Sequence, residues 1–158
     1  MEKIEAHRRG LMHRALSIFI FNSQGEMLLQ QRALSKYHSA GLWSNACCGH
    51  PLPGETTELA AKRRLKEELG FTIPLEKIFD FSYRVSFANG LMENEFDHVF
   101  VGQYDGKVNI NPDEVRDYSF KPIWEIKAGL QTSPEKYTEW FKMVFSKIEE
   151  WWKANHHK

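Results

Sequence analysis

The sequence has no surplus of either charge: lysine plus arginine and aspartate plus glutamate both number 21, so no long-range field favours nucleic acid or an anionic membrane surface. Any anion binding has to come from local clusters. Long apolar runs are missing as well. No stretch approaches the roughly 20 residues that a bilayer crossing requires, and the opening MEKIEAHRRG carries no apolar signal core. A soluble, cytoplasmic protein is expected, with neither membrane nor nucleic acid as a partner. Cysteine is scarce: Cys47 and Cys48 are the only two and are adjacent, which argues against a disulfide framework and leaves two free thiols. Internal repeats and low complexity are also absent.

What is present is a chain of 158 residues, 42% hydrophobic, long enough to bury one real core and short for two, so residues 1–158 are read as a single domain. The apolar run Ala15 to Phe21, the turn signal Asn22-Ser23-Gln24-Gly25 and Met27-Leu28-Leu29 read as a hairpin. A second strand pair is expected over 78–87 and 93–104 with Asn89-Gly90 in the connection, and a short strand over 117–124. Between them lies a helix, 57–69, with Leu59, Ala61, Leu65 and Leu69 near helical spacing and Gly70 closing it. In the last helix Ser133 is the expected cap and Pro134 the first residue. Its apolar face is Tyr137, Trp140, Phe141, Val144, Ile148, Trp151 and Trp152. Strands, helix, strands and a final helix predict an α/β (α+β) protein, a mixed sheet sandwiched by flanking helices.

The densest motif is GHPLPGETTELAAKRRLKEELGF, which runs from Gly49 through Glu55, Arg63, Arg64, Glu67, Glu68 and Gly70 to Phe71. A loop leading into a helix can gather carboxylates for a hard, oxygen-preferring cation such as Mg2+, which in turn holds phosphate oxygens. Arg64 and Glu68 are one helical turn apart, so a cation for phosphate and a carboxylate for metal can share a face. Taken alone, Arg63/Glu67 and Arg64/Glu68 are ordinary pairs on an exposed helix.

This pattern resembles the Nudix box at every fixed position but one: Arg64 stands where the box has its first helical glutamate. That glutamate belongs to the metal cluster of Nudix hydrolases, so its loss argues against ordinary pyrophosphate hydrolysis. The chain resembles the type 1 isopentenyl-diphosphate isomerases, the Nudix branch that looks like it at this position. The likeness runs from Glu2 to about Trp152, through Leu11-Met12-His13-Arg14-Ala15, Gln31-Arg32-Ala33-Leu34-Ser35-Lys36, Trp43-Ser44-Asn45-Ala46-Cys47-Cys48-Gly49-His50-Pro51, Tyr83-Arg84, Glu93-Asn94-Glu95 and Trp140. It implies a Nudix fold and interconversion of isopentenyl and dimethylallyl diphosphate through a tertiary carbocation. A Nudix hydrolase of a nucleoside or prenyl diphosphate is the alternative.

The resemblance further implies roles. Cys48 and Glu95 would be the proton-transferring pair, with Tyr83 hydrogen-bonding near the glutamate. Arg32, Lys36 and Arg64 would bind the diphosphate, and Trp140 would lie over the hydrocarbon. His7, His13, His50, Glu93 and Glu95 would hold a divalent ion, Zn2+, Mn2+ or Mg2+, and Glu68 a second, substrate-linked Mg2+. The partner is a small prenyl diphosphate. The family's N-terminal strand is expected to be missing, because Met1 stands almost at the segment that follows it.

Residue spacing adds its own constraints. Glu93 and Glu95 are i and i+2 on an expected strand, and Cys48 and His50 share that spacing, so each pair should project from one face. By the same alternation Cys47 should point away from Cys48, into packing. His38, His98, His156 and His157 match no ligand position and are read as surface residues.

Overall fold

The structure, a computed structural model, describes residues 13–36, 39–86 and 92–156, without the side chains at 13, 83, 85, 86, 92–95 and 156. His7, His38, His157 and the Asn89-Gly90 connection lie outside the described residues. The elements run β1 (His13–Phe21), β2 (Glu26–Arg32), β3 (Trp43–Asn45), β4 (Cys47–Gly49), α1 (Thr57–Leu69), β5 (Glu76–Ser86), β6 (Met92–Gln103), β7 (Val115–Pro122), α2 (Ile123–Thr132) and α3 (Glu139–His156). The expected mixed sheet with flanking helices is what forms.

The first hairpin turns where the sequence places it. Asn22 Oδ1 accepts from the backbone N–H groups of Gln24 and Glu26, and Gly25 takes the positive φ of 77° that the turn demands. Beyond the Phe21↔Met27 pair the two strands part company. β2 pairs with β3 and β7, whereas β1 runs antiparallel to β4 and parallel to β6 over its whole length. The expected hairpin thus holds at its turn and splays above it. The strand pair β5–β6 forms as expected, antiparallel, with a register irregularity between Lys77 and Phe79.

Alternation along β1 divides the core. Leu16, Ile18 and Ile20 point to one face, where Ala60, Ala61, Leu65 and Leu69 of α1 cover them together with Phe71 and Phe100. Phe19 and Phe21 point to the other, against Phe141, Val144 and Ile148 of α3. Each of these fully buried aliphatic and aromatic side chains contributes about 1.5–3 kcal/mol by leaving water.

Three sequence expectations need correction. Leu59, grouped by spacing with Ala61, Leu65 and Leu69, is 60% exposed, and Ala60 joins Ala61 against the sheet in its place. Small residues there let the helix approach β1 and β4 closely. The strand expected over 117–124 ends at Pro122, whose missing N–H stops the ladder, and Ile123 begins a helix that leaves Trp124 71% exposed. Finally, Pro134 opens only a three-residue 3-10 turn rather than α3. Tyr137 is extended and bridges to Trp43, so the helix starts at Glu139. Thr138 caps it, its Oγ1 accepting from the Phe141 N–H and donating to Ser44 Oγ.

Candidate active site

β4 is three residues long and sets the site. Cys48 pairs with Ser17 and Cys47 with Ile18 across β1, so the adjacent thiols leave the strand on opposite faces. Cys47 is fully buried in the α1-side core. Cys48 faces the α3 side, beside Trp140 and Phe81. That separation agrees with the alternation expected from sequence.

The sulfur of Cys48 has three polar neighbours. Trp140 Nε1 donates to it at 3.1 Å, Asn45 Oδ1 lies at 3.3 Å and Ser17 Oγ at 3.6 Å. Ser17 in turn donates to Asp97 at 2.6 Å. Burial first, and then the charge of Asp97, push the Cys48 thiol up to about 12. Burial also raises the Cys47 thiol well above its ordinary value. The guanidinium carbon of Arg32 lies 5.2 Å from the centroid of the Trp140 ring, a cation–π contact that links an expected diphosphate ligand to the expected hydrocarbon platform.

One residue further, the character changes. Gly49 lies against Arg64: a Cβ built on it would come 2.8 Å from the Arg64 Cγ. The glycine of the motif thereby makes room for the arginine. Arg64 is ion-paired to Glu67, Glu68 and Glu114, with the last contact at 3.0 Å. Glu114 also takes Lys36 at 2.5 Å. Burial pushes the Glu114 carboxyl up, but Lys36 and Arg64 outweigh it and hold the group at about 2. Glu68 is 5% exposed, and its other oxygen accepts from Gln30 Nε2 at 2.8 Å. Its burial outweighs the neighbouring cations and raises its carboxyl above the ordinary value. Two linked groups therefore flank β4: Arg32, Trp140 and Cys48 on one side, and Lys36, Arg64 and Glu68, joined through Glu114, on the other.

Glu55 and Arg63 play a different part. Arg63 grips both oxygens of Glu55 at 2.9 and 3.0 Å and reaches the His50 carbonyl at 3.3 Å, while Glu55 accepts from the Leu52 N–H at 2.9 Å. This pair staples the 50–56 loop to the helix. Gly70 ends that helix at φ 80°, with Asn109 so close that a Cβ would meet it at 2.8 Å.

Backbone register brings the remaining expected residues together. His13 pairs with Glu95 across β1–β6, and Tyr83 pairs with Glu95 across β5–β6, making a row His13–Glu95–Tyr83. Glu93 lies two positions along the same strand, opposite Val85. His50 follows Gly49, which pairs with Leu16. Imidazole and carboxylate are the donor types that suit a divalent ion, and Glu68 carries the anionic oxygen that Mg2+ prefers. Among the described residues no group of three or more His, Cys, Asp or Glu side chains could hold a metal; of the five ligands expected at the first site, only the His50 side chain is described. His98, expected at the surface, is instead half-buried, edge-on to Phe96 and 3.2 Å from Asp80, with burial lowering its pKa.

Sequence reasoning missed Ser17, Asn45, Asp97, Gln30 and Glu114. Ser17 carried a usable signal, being the one polar residue in the run Ala15 to Phe21. Glu114 carried none, since nothing in NPDEV marks it as the partner of Lys36 and Arg64.

Residues 11–141 match the NUDIX domain. The chain is 50% identical over 154 residues to the isopentenyl-diphosphate Delta-isomerase of Pectobacterium atrosepticum, covering 98% of this chain and 86% of that protein. It is 49% identical to isopentenyl-diphosphate Delta-isomerase 2 of Photorhabdus laumondii, covering 94% and 87%. Among solved structures, the MutT protein of Methanosarcina mazei superposes with a TM-score of 0.73 at 21% identity, covering 88% of this chain and 94% of that one. A MutT NUDIX hydrolase of Burkholderia pseudomallei gives 0.60 at 20% identity, covering 87% and 98%. The last two show the fold.

Proposed function

Since this chain belongs to the Nudix family and, at about half identity over nearly its whole length, to the isopentenyl-diphosphate Delta-isomerases, we propose that it interconverts isopentenyl and dimethylallyl diphosphate in isoprenoid biosynthesis. The observation that carries this reading is the two-part site around Gly49: a half-buried thiol beside an indole on one side, and Arg64 with Lys36 on the other. A substrate that is hydrocarbon at one end and diphosphate at the other needs that division.

The reaction adds a proton to the terminal carbon of an unactivated alkene and removes one from the carbon on the far side of the tertiary cation. An acid and a base must therefore flank the alkene. Cys48 and Glu95 take these roles, and Tyr83 supports Glu95. The face of Trp140 steadies the cation, by about 2 kcal/mol when desolvated. Arg32, Lys36 and Arg64 hold the diphosphate, arginine through two oxygens at once and lysine as a point charge. A divalent ion on His7, His13, His50, Glu93 and Glu95 would fix Glu95 and shift its proton affinity, and Mg2+ on Glu68 would offset diphosphate charge. Trp140 itself is 4% exposed, so its indole is held in place beside the thiol. The two free thiols suit a reducing, cytoplasmic setting.

The test is incubation of the protein with isopentenyl diphosphate and Mg2+ in D2O, followed by NMR. Dimethylallyl diphosphate carrying deuterium is the expected product. Release of phosphate or pyrophosphate with no isomer formed would overturn the reading.

A further inference from the structure

A buried polar network runs through the α3-side core, and the proton-transferring pair does not account for it. Asp97 and Ser17 are each 2% exposed, and Asn45 and Thr138 are fully buried. Apart from the Cys48 S–H, each hydrogen in this network goes to one acceptor. Thr138 donates to Ser44, and Ser44 to Asn45 Oδ1 at 2.9 Å. Asn45 Nδ2 spends both hydrogens on the carbonyls of Ile18 and Cys47, at 3.0 and 2.9 Å, which fixes the amide so that its oxygen meets Cys48. Ser17 has a single hydrogen, and it goes to Asp97 Oδ2. The Ser17 oxygen can therefore only accept from the thiol 3.6 Å away. Trp140, an obligate donor, supplies the N–H that reaches the sulfur.

We propose that Ser17, anchored by Asp97, is a positioning residue for the Cys48 thiol. Together Ser17 and Asn45 present two locked acceptors, which define the arc through which the S–H swings. Trp140 fixes a lone pair on a different side. The protein, rather than mobile water, thus sets the direction in which the sulfur gives or receives a proton. A serine and an aspartate facing each other inside an apolar strand pair weaken the core unless something else requires them. Leu16 and Ile18 flank Ser17 on β1, and the residues paired with positions 17 and 18 on β6 are Val99 and Phe100. Among the described residues, the thiol that Ser17 touches is Cys48.

This inference rests on the isomerase reading, so its test includes a measurement independent of turnover. In a Cys47→Ala background Cys48 is the sole thiol, and its S–H stretching band reads hydrogen bonding directly in the infrared. Ser17→Ala should shift that band and lower kcat on isopentenyl diphosphate by about 10- to 100-fold, with KM within about twofold of the parent. Asp97→Asn keeps an oxygen to accept the Ser17 hydroxyl, so it should leave the band in place and retain kcat to within about fivefold. A folded Ser17→Ala protein with parental kcat and an unmoved band would overturn the proposal. Should Ser17→Ala fail to fold, Asp97→Asn decides alone: an inactive enzyme with an unmoved band would mean that Asp97 acts by its charge and not through Ser17. Parental turnover, measured separately, tells failure of the isomerase reading from failure of this one.

Discussion

The two clusters on either side of Gly49 solve opposite problems. Around Arg64 the groups are charged, partly open to solvent and shared: one oxygen of Glu114 serves both Lys36 and Arg64. Around Cys48 they are buried, sparsely charged and individually committed, each hydrogen to one acceptor. On the proposed reading, shared contacts would let a diphosphate enter by displacing carboxylates, at little cost where water can still reach. Committed contacts hold a reacting group still. The two thiols divide between the clusters, since Cys47 sits in the α1-side core against the Glu68 carboxyl while Cys48 meets three polar atoms on the other face.

The hardest test of that contrast is a pair of serines. Cys48→Ser should abolish most turnover, by about 100-fold or more, because a hydroxyl is a far weaker acid than a thiol, with fold and diphosphate binding retained. Cys47→Ser should stay active and lose about 1 kcal/mol or less, because the Glu68 carboxyl and the Cys48 carbonyl stand ready to accept its hydroxyl. Rates and melting temperatures of both variants decide; an active Cys48→Ser or a folded, inactive Cys47→Ser would reverse the assignment.

Next comes Arg64→Glu, which restores the carboxylate of hydrolytic relatives. It should raise KM by roughly tenfold or more, through loss of charge-assisted hydrogen bonds worth about 1.5–3 kcal/mol. It should not create a hydrolase, because hydrolysis also needs a positioned water, and efficient pyrophosphate release by this variant would count against the division of roles. A smaller effect separates neighbours on α1: Glu68→Gln should cost more activity than Glu67→Gln, since the Glu68 side chain is 6% exposed against 43% for Glu67. Equal losses would mean that the buried carboxylate has no special part.

The smallest expected effect concerns Glu114. Its carboxyl is held at about 2 in the folded chain, below the ordinary 4.5. Its stabilising contribution is therefore complete above pH 5 and is lost as pH falls toward 2. At 27% exposure solvent screening leaves about 1 kcal/mol of this. Chemical denaturation of Glu114→Gln against the parent should show a deficit near neutral pH that closes in acid; a constant deficit would refute the linkage.

The charged cluster was the more legible of the two in sequence. Arg64 and Glu68 announce themselves by helical spacing inside a patterned segment, and Arg32 and Lys36 through the family resemblance. The committed cluster was legible only at Cys48 and Trp140, because Asn45, Ser17 and Asp97 act through partners on other strands, and single-chain spacing says nothing about register. Helix α2 escaped for a different reason: Ile123 and Trp124 continue the apolar alternation of β7, and only the missing N–H of Pro122 breaks it. The start of α3 was misread because Pro134 is a good first residue for any helix, while the tie between Tyr137 and Trp43 is invisible from either segment alone.

The thiol chamber is stitched together across the chain. Cys48 and Trp140 are 92 residues apart, Ser17 and Asp97 are 80 apart, and Ser44 and Thr138 are 94 apart. Contacts of such span pay their loop-closure entropy before they return anything, so they form late in folding. The reactive centre is therefore assembled only once both ends of the sheet and α3 have docked, and a partly folded chain holds two ordinary cysteines and no chamber. Competence is thereby tied to completed folding, and activity on refolding should return no earlier than the docking of α3.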